Sequence, residues 1–184
     1  ICRCLDSVME QTFNDYEVII IDDGSIDKSG EICDAYRMKS EKVVVIHQCN
    51  KGLASSRKTG IDYAKGKYVT FIDSDDYVSK NLLQTLYDKI ANFDMITCSY
   101  TRVIGDKERK VIPFNEEYRD VINNEQMLHM FFMRKYIDGS AWGMLVRREL
   151  YFKIDMCEGA VPGEEICTTL QLLQIVNGIR ILSE

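Results

Sequence analysis

The sequence predicts an α/β fold in which helices flank a mostly parallel β-sheet. Over the first two-thirds of its 184 residues, short runs rich in Val and Ile alternate with segments whose apolar residues recur at helical spacing. Turn-forming and acidic residues follow two of these runs directly, at residues 22–25 (DDGS) and 73–76 (DSDD). Parallel strands joined by helical crossovers are the simplest structure for this order.

Periodicity and turn residues place the elements of this first part in order. The expected elements are a strand over Tyr16–Ile21, a helix that Ser25 or Asp27 could cap, a strand over Val43–Ile46, a helix over Leu53–Ala64, a strand over Lys67–Ile72 and a helix over Lys80–Ala91. Gly66 stands where the second of these helices would take a C-terminal cap.

After Asp94 the pattern changes. Met95–Ile104 and Lys110–Phe114 flank Gly105-Asp106, which predicts a long late hairpin. The remaining expected elements are a helix over Asn123–Arg134, a short strand over Trp142–Val146, a helical turn over Arg147–Phe152, a helix from Pro162 to Val176 and a strand over Ile179–Leu182. Because no repeat or linker interrupts this order, residues 1–184 are expected to form a single domain.

Composition excludes some functions. The net charge is −6, from 23 basic and 29 acidic residues, which argues against a nucleic-acid partner because such a partner requires clustered Lys and Arg. No apolar stretch approaches the roughly 20 residues that span a bilayer. The seven cysteines lie mostly in apolar segments, as expected of reduced thiols in a cytoplasmic protein. The chain begins with Ile1 rather than Met, so we expect a fragment of a longer protein.

Carboxylates gather where two predicted strands end. Ligands bind at the carboxyl ends of strands in open parallel sheets, and Asp22-Asp23 and Asp73-x-Asp75 both occupy such positions. Asp73 and Asp75 alternate along an extended segment, so both can point at one ligand, and two carboxylates suit Mn²⁺ or Mg²⁺. The alternative is that these acids are turn and helix-cap residues. Capping alone does not explain three acids within four residues.

Three longer stretches resemble a known family. "EVIIIDDGSIDKSGEICDAY", "KGLASSRKTGIDYAKGKYVTFIDSDDYV" and "WGMLVRREL" resemble the inverting family-2 glycosyltransferases with the GT-A fold, a Rossmann-like mixed sheet flanked by helices. The resemblance runs from about Arg3 to the end of the chain. It implies metal-dependent transfer of a sugar from a nucleotide-diphosphate sugar, usually a UDP-sugar, to an acceptor hydroxyl with inversion. The cofactor would be Mn²⁺ or Mg²⁺.

The resemblance also implies roles for individual residues of the donor site. Asp23 would bind the nucleobase, with Asp22 beside it, and Arg57 would face the base or the diphosphate. Asp73 would contact the ribose or the metal. Asp75 would be the main metal ligand and would bridge to the diphosphate.

The family's general base would fall at Glu164-Glu165, with Glu165 in the position of the base and Glu in place of the family's Asp. From the residues alone, these two acids would more simply be read as favouring a helix N-terminus. Trp142 would either stack the acceptor sugar or belong to the core. The family usually reads Trp-Asn-Lys at this point, whereas this chain has Gly143 and Met144.

The resemblance places the nucleotide-sugar donor half at residues 1–94 and the acceptor half at 95–184, and it implies that a first strand precedes residue 1. The acceptor would be a glycan or a lipid-linked sugar in surface polysaccharide synthesis. Missing regions could give peripheral association with the inner face of the membrane. Two other functions stay open: a non-catalytic nucleotide-binding relative, and a phosphoryl-transfer or receiver-type domain, which also places aspartates at strand ends.

Overall fold

A computed structural model describes residues 1–105, 107–111, 123–132, 140–156 and 163–182. The elements in chain order are α1 (Cys2–Met9), β1 (Val18–Asp22), α2 (Ser29–Lys39), β2 (Val43–His47), α3 (Leu53–Tyr63), β3 (Tyr68–Val69), α4 (Leu82–Ile90), β4 (Met95–Thr97), β5 (Tyr100–Ile104), β6 (Lys107–Val111), α5 (Asn124–Phe132), β7 (Met144–Arg147), α6 (Arg148–Tyr151), α7 (Glu164–Ile175) and β8 (Ile179–Ile181). The predicted α/β class is confirmed.

The strands form one parallel pair, one mixed sheet and one hairpin. β1 and β2 pair in parallel, with Asp22 opposite His47 at their carboxyl ends. The four-stranded sheet has the order β3-β7-β4-β8, in which β7 runs antiparallel to both of its neighbours and β4 and β8 pair in parallel. The predicted mixed sheet is confirmed: β3 runs in the same direction as β4 and β8, but it pairs with the late antiparallel strand β7 and not with another parallel strand.

The late hairpin is confirmed, but its strands differ from those predicted. β5 and β6 pair around Gly105, whose φ of 58° suits a tight turn. Met95 and Ile96 do not belong to the hairpin: both are completely buried in β4. Two consecutive buried side chains indicate a strand covered on both faces, which is why β4 lies inside the four-stranded sheet. Phe114 lies outside the described residues.

The end of α3 and the start of α7 differ from the boundaries that the sequence predicted at Gly66 and Pro162. α3 ends at Tyr63 with Ala64 in an extended conformation, so Gly66 is not its cap. The amide of Gly66 instead donates to Glu17 Oε1 at 2.9 Å. α7 begins at Glu164, after Gly163 with φ of 91°, and Pro162 lies outside the described residues. Arg134, the predicted end of α5, lies outside them too.

Helices cover both faces of the four-stranded sheet. Val146 of β7 points into a large core with Met127 of α5 and Leu172 of α7. Its neighbour Leu145 points to the other face, where it packs against Leu86 of α4. This alternation buries one face of β7 under α5 and α7 and the other under α4. A smaller core joins α1, α2 and the β1–β2 pair.

Candidate active site

Arg57 on α3 joins two of the predicted site residues. Its Nη2 lies 3.1 Å from Asp73 Oδ1, and its Nη1 lies 2.5 Å from Glu165 Oε1. The guanidinium carbon lies 5.5 Å from the centre of the Phe71 ring. Arg57 is only 8% exposed, so a buried cation is balanced by carboxylates from two distant parts of the chain. Sequence spacing alone did not predict that Glu165 and Asp73 share one arginine.

Asp23 fixes the loop from which α3 begins. Its Oδ1 accepts hydrogen bonds from Gln48 Nε2 and the Lys51 amide, and its Oδ2 accepts one from the Gly52 amide at 2.8 Å. Burial raises the pKa of Asp23, but these hydrogen bonds outweigh it, and the pKa lies below its usual value. The carboxylate therefore holds the start of the helix that carries Arg57.

Asp22 is paired with His47, which the sequence analysis had left without a role. His47 Nδ1 lies 2.8 Å from Asp22 Oδ2, and its Nε2 lies 3.3 Å from Asp34 Oδ1. Hydrogen bonds from Ser25 and then His47 lower the pKa of Asp22. The register of β1 and β2 could have revealed this pair, since Asp22 and His47 end neighbouring parallel strands.

A side chain of α1 and a local turn hold the backbone of residues 73–76, the acidic segment after β3. Arg3 Nη2 donates to the carbonyl oxygen of Asp75 at 2.6 Å, and the Asp76 amide donates to that of Asp73 at 3.0 Å. The carboxylate of Asp75 is exposed and has no hydrogen bond or ion pair with another described residue. Partial burial, and then the charges of Asp75 and Asp73, raise the pKa of Asp76. Asp75 therefore carries a negative charge that no ion pair with another described residue balances.

Asp73 and Asp75 are the residues here that could hold a cation. Across the ranges that the structure describes, no group of three or more His, Cys, Asp and Glu side chains converges as a complete metal site. Two carboxylates that rely on oxygens from a bound substrate are a common arrangement for Mg²⁺. The oxygen-only donor set fits Mn²⁺ or Mg²⁺.

Trp142 lies close to the acidic segment. Its backbone forms an isolated parallel β-bridge with Phe71, which precedes Asp73 by two residues. Its ring stands edge-on to the ring of Tyr100, with 4.7 Å between the ring centroids. Gly143 follows with φ of 72°. Asn tolerates this left-handed conformation better than most residues, which explains why Gly and the family's Asn both suit this position. Trp142 is half-buried, so it fits either predicted role.

Glu165 and Glu164 differ in their contacts, although both begin α7. Glu165 pairs with Arg57, whereas Glu164 shows no ion pair among the described residues. The structure therefore brings Arg57, Asp73 and Glu165 together and places Asp22 and Asp23 at the β1–β2 end. Arg3 and Gln48 were not predicted as site residues, because contacts to a backbone carbonyl oxygen and across a loop leave no sequence motif.

Comparison with known families matches residues 1–154 to the model described as "Glycosyl transferase family 2". The chain belongs to glycosyl transferase family 2. The uncharacterized glycosyltransferase EpsJ of Bacillus subtilis (strain 168) is 36% identical over 159 residues, which cover 84% of this chain and 46% of EpsJ. The resemblance to this family is therefore confirmed, and the receiver-type alternative was wrong. Glu164 and Glu165 lie beyond the residues matched by the family model.

Solved structures confirm the GT-A fold of this member of the family. TarS 1–349 of S. aureus in complex with UDP superposes with a TM-score of 0.79 and 23% identity, over 100% of this chain and 54% of the TarS chain. The mannosyltransferase PcManGT from Pyrobaculum calidifontis, in complex with GDP-Man and Mn²⁺, has a TM-score of 0.65 and 15% identity, over 98% of this chain and 49% of that chain. The chain thus spans about half the length of these relatives.

Within the described parts of the chain, no helix has both the length and the apolar character needed to cross a bilayer.

Proposed function

We propose that this protein transfers a sugar from a nucleotide-diphosphate sugar, most simply a UDP-sugar, to an acceptor hydroxyl with inversion. The observation that carries the proposal is the Arg57 bridge, which joins a donor-side carboxylate, Asp73, to the candidate base, Glu165. A single in-line displacement needs both functions around one reacting carbon. The TarS complex with UDP supports the choice of a uridine nucleotide.

The donor would bind along the ends of β1 and β3. Asp23 and Asp22 are proposed to receive the nucleobase, and Asp73 the ribose or the metal. Asp23 already holds the loop that begins α3 through three hydrogen bonds. Asp23 would therefore contribute to the donor site in two ways, by contacting the nucleobase and by holding the loop that begins α3.

Asp75 and Asp73 are proposed to hold Mn²⁺ or Mg²⁺ together with diphosphate oxygens. The fit rests on the exposed carboxylate of Asp75, which no described residue pairs with, and on the partial burial and like charges that raise the pKa of Asp76 beside it. The chemistry that a bound divalent cation supplies here is neutralisation of the charge on the leaving diphosphate. PcManGT was solved with Mn²⁺, which supports a metal-dependent donor site.

Glu165 is proposed as the general base. Its carboxylate would take the proton of the acceptor hydroxyl as that oxygen bonds to the anomeric carbon and the bond from this carbon to the diphosphate breaks. The first turn of a helix stabilises a carboxylate in its charged form, which a base requires. Glu165 lies in the first turn of α7 and its side chain is 28% exposed, so a substrate can reach it.

The acceptor is proposed to be a glycan or a lipid-linked sugar, bound beside Trp142. Half-buried aromatic rings are suitable platforms for sugar faces. A role in surface polysaccharide synthesis, at the inner face of the membrane, would place a lipid-linked acceptor within reach. These points rest on the resemblance to the family.

The test uses the full-length protein with a panel of UDP-sugars, with Mn²⁺ and with EDTA, and measures release of UDP. We expect one donor to release UDP in Mn²⁺ and not in EDTA, and NMR of the product to show an inverted anomeric centre. A retained configuration would exclude the single displacement. Nucleotide binding without turnover of any donor, in the presence of candidate acceptors, would instead favour the non-catalytic alternative.

A further inference from the structure

We propose that Arg57 is a positioning residue: it holds the carboxylate of Glu165 in the position from which it can accept the proton, and through Asp73 it connects this carboxylate to the donor site. This inference rests on the proposed function, because it assumes that Glu165 is the base. This role differs from the one that the family resemblance implied, in which Arg57 contacts the nucleobase or the diphosphate of the donor directly.

The guanidinium of Arg57 is itself held firmly. It is almost completely buried, and it lies over the Phe71 ring. Phe71 is in turn packed edge-on against Tyr151 at 5.8 Å. A planar fork fixed in this way can hold two carboxylates at defined positions, which a flexible ammonium group cannot do.

Glu165 depends on this contact for its place. It follows Gly163 in the first turn of α7, and the Arg57 pair is the ion pair that the described residues provide for it. Without that contact, its rotatable side chain could turn towards solvent, and a displacement of about 1 Å at a reacting group can lower a rate about 100-fold.

Both terminal nitrogens of Arg57 are already engaged, one by Asp73 and the other by Glu165. The N–H groups of Arg57 outside these two contacts lie in a guanidinium that is almost completely buried, so a diphosphate has little access to them. Because Asp73 is also a donor-site residue, a single side chain connects donor binding to the position of the base. Arg57 therefore acts through Glu165.

The test is a double-mutant cycle in the full-length protein that combines Arg57→Lys with Glu165→Gln. A lysine at this position would keep the positive charge but could not span both carboxylates. We expect Arg57→Lys to lower kcat by about 10- to 100-fold and to change the donor KM by less than about 3-fold. In the Glu165→Gln background, the same substitution should lower kcat by less than about 3-fold, because the base is already absent.

Phe71→Leu provides a second variant in case a buried lysine prevents folding. It removes the ring beneath the guanidinium without changing any charge, and it should lower kcat by a few-fold in the parent protein but not in Glu165→Gln. Unchanged circular dichroism and thermal unfolding would show that each variant is folded.

Three results would overturn the proposal, and they are distinguishable. Weaker UDP binding with unchanged kcat in Arg57→Lys would show direct donor contact. Equal losses of kcat in the parent and in Glu165→Gln would show that Arg57 does not act through Glu165, although Glu165 could remain the base. An unaltered kcat in Glu165→Gln alone would remove the base itself, and with it the proposed mechanism.

Discussion

At the scale of single residues, Asp75 differs from its acidic neighbours in what holds it. Among the residues that the structure describes, Arg3 bonds its backbone carbonyl oxygen and none bonds its carboxylate, which is exposed beside like charges. We predict that Asp75→Ala abolishes Mn²⁺-dependent UDP binding and leaves the free energy of unfolding within about 0.5 kcal/mol of the parent value. Calorimetric titration with UDP and Mn²⁺, beside thermal unfolding, tests both parts. Binding equal to that of the parent would exclude Asp75 as the main ligand.

Asp23 should behave in the opposite way in the unfolding experiment. Its side chain satisfies two backbone amides and Gln48, so Asp23→Ala leaves several donors without a partner. We predict a loss of about 1–3 kcal/mol in the free energy of unfolding, together with weaker UDP binding both with and without Mn²⁺. Urea denaturation and titration measure the two effects. A loss of binding confined to the metal-containing sample would contradict a contact with the nucleobase.

Glu165 and Glu164 form a matched pair for the mechanism. We predict that Glu165→Gln in the full-length protein lowers the transfer rate by about 10²–10⁴ and leaves donor affinity intact, because the amide keeps the shape but cannot accept the proton. Glu164→Gln should lower the transfer rate far less, since Glu164 forms no ion pair with Arg57. If Glu164→Gln proves the more damaging, the base has been assigned one residue too late.

At the scale of elements, two helical glycines that face β1 differ in the space that an added side chain would have. A Cβ on Gly30 of α2 would lie 2.8 Å from Asp22 Oδ2, the oxygen that His47 holds. A Cβ on Gly60 of α3 would meet only Ile21 Cγ1, at 3.8 Å, which is ordinary van der Waals contact. Gly30 therefore lets α2 approach the strand end that carries Asp22, whereas Gly60 leaves space.

We predict that Gly60→Ala raises the free energy of unfolding by about 0.5–1 kcal/mol, as expected for Ala over Gly within a helix. Gly30→Ala should lack this gain and should weaken UDP binding, because the added methyl group displaces the carboxylate of Asp22. Denaturant titration of both variants gives the comparison. An equal gain in both would mean that Asp22 moves aside at no cost.

The elements also show which parts of the fold a sequence can predict. α3 and α4 were placed within a few residues because their apolar periodicity is regular. β3 was placed correctly along the chain, but its partner was not predicted, because the choice of β7 depends on contacts between residues far apart in sequence. β4 was merged with the hairpin because a short apolar run does not reveal where one strand ends and the next begins.

At the scale of the whole molecule, the ion pair of Arg57 and Glu165 joins the two halves predicted at 1–94 and 95–184. The motifs predicted candidate site residues, since the acids of a DXD-like segment and a pair of glutamates are visible in the sequence. They did not predict that Arg57 would link them, because a long-range ion pair has no local pattern. The division into donor and acceptor halves remains a prediction.

The pH dependence of stability tests the pair of Asp22 and His47 at the carboxyl ends of β1 and β2. The pKa of His47 is raised, by Asp22 first and then Asp34, so its contribution to stability is complete below about pH 6.5 and is lost as the pH rises through the raised value. The pKa of Asp22 is lowered, by Ser25 first and then His47, so its contribution is present above about pH 4 and is lost as the pH falls through the lowered value. Both contributions are therefore present between about pH 4 and 6.5.

We predict that the melting temperature of His47→Gln, relative to the parent, is lowest near about pH 5.5 and recovers towards about pH 8.5. Taking the difference between variant and parent cancels the titration of groups that both proteins share. His129, which is exposed on α5, supplies the control, and His129→Gln should show no such recovery. If the difference for His47→Gln is the same at both pH values, protonated His47 does not stabilise the β1–β2 end. A difference near zero at both pH values would mean, in addition, that the neutral imidazole contributes nothing and that Ser25 orients Asp22 without this histidine.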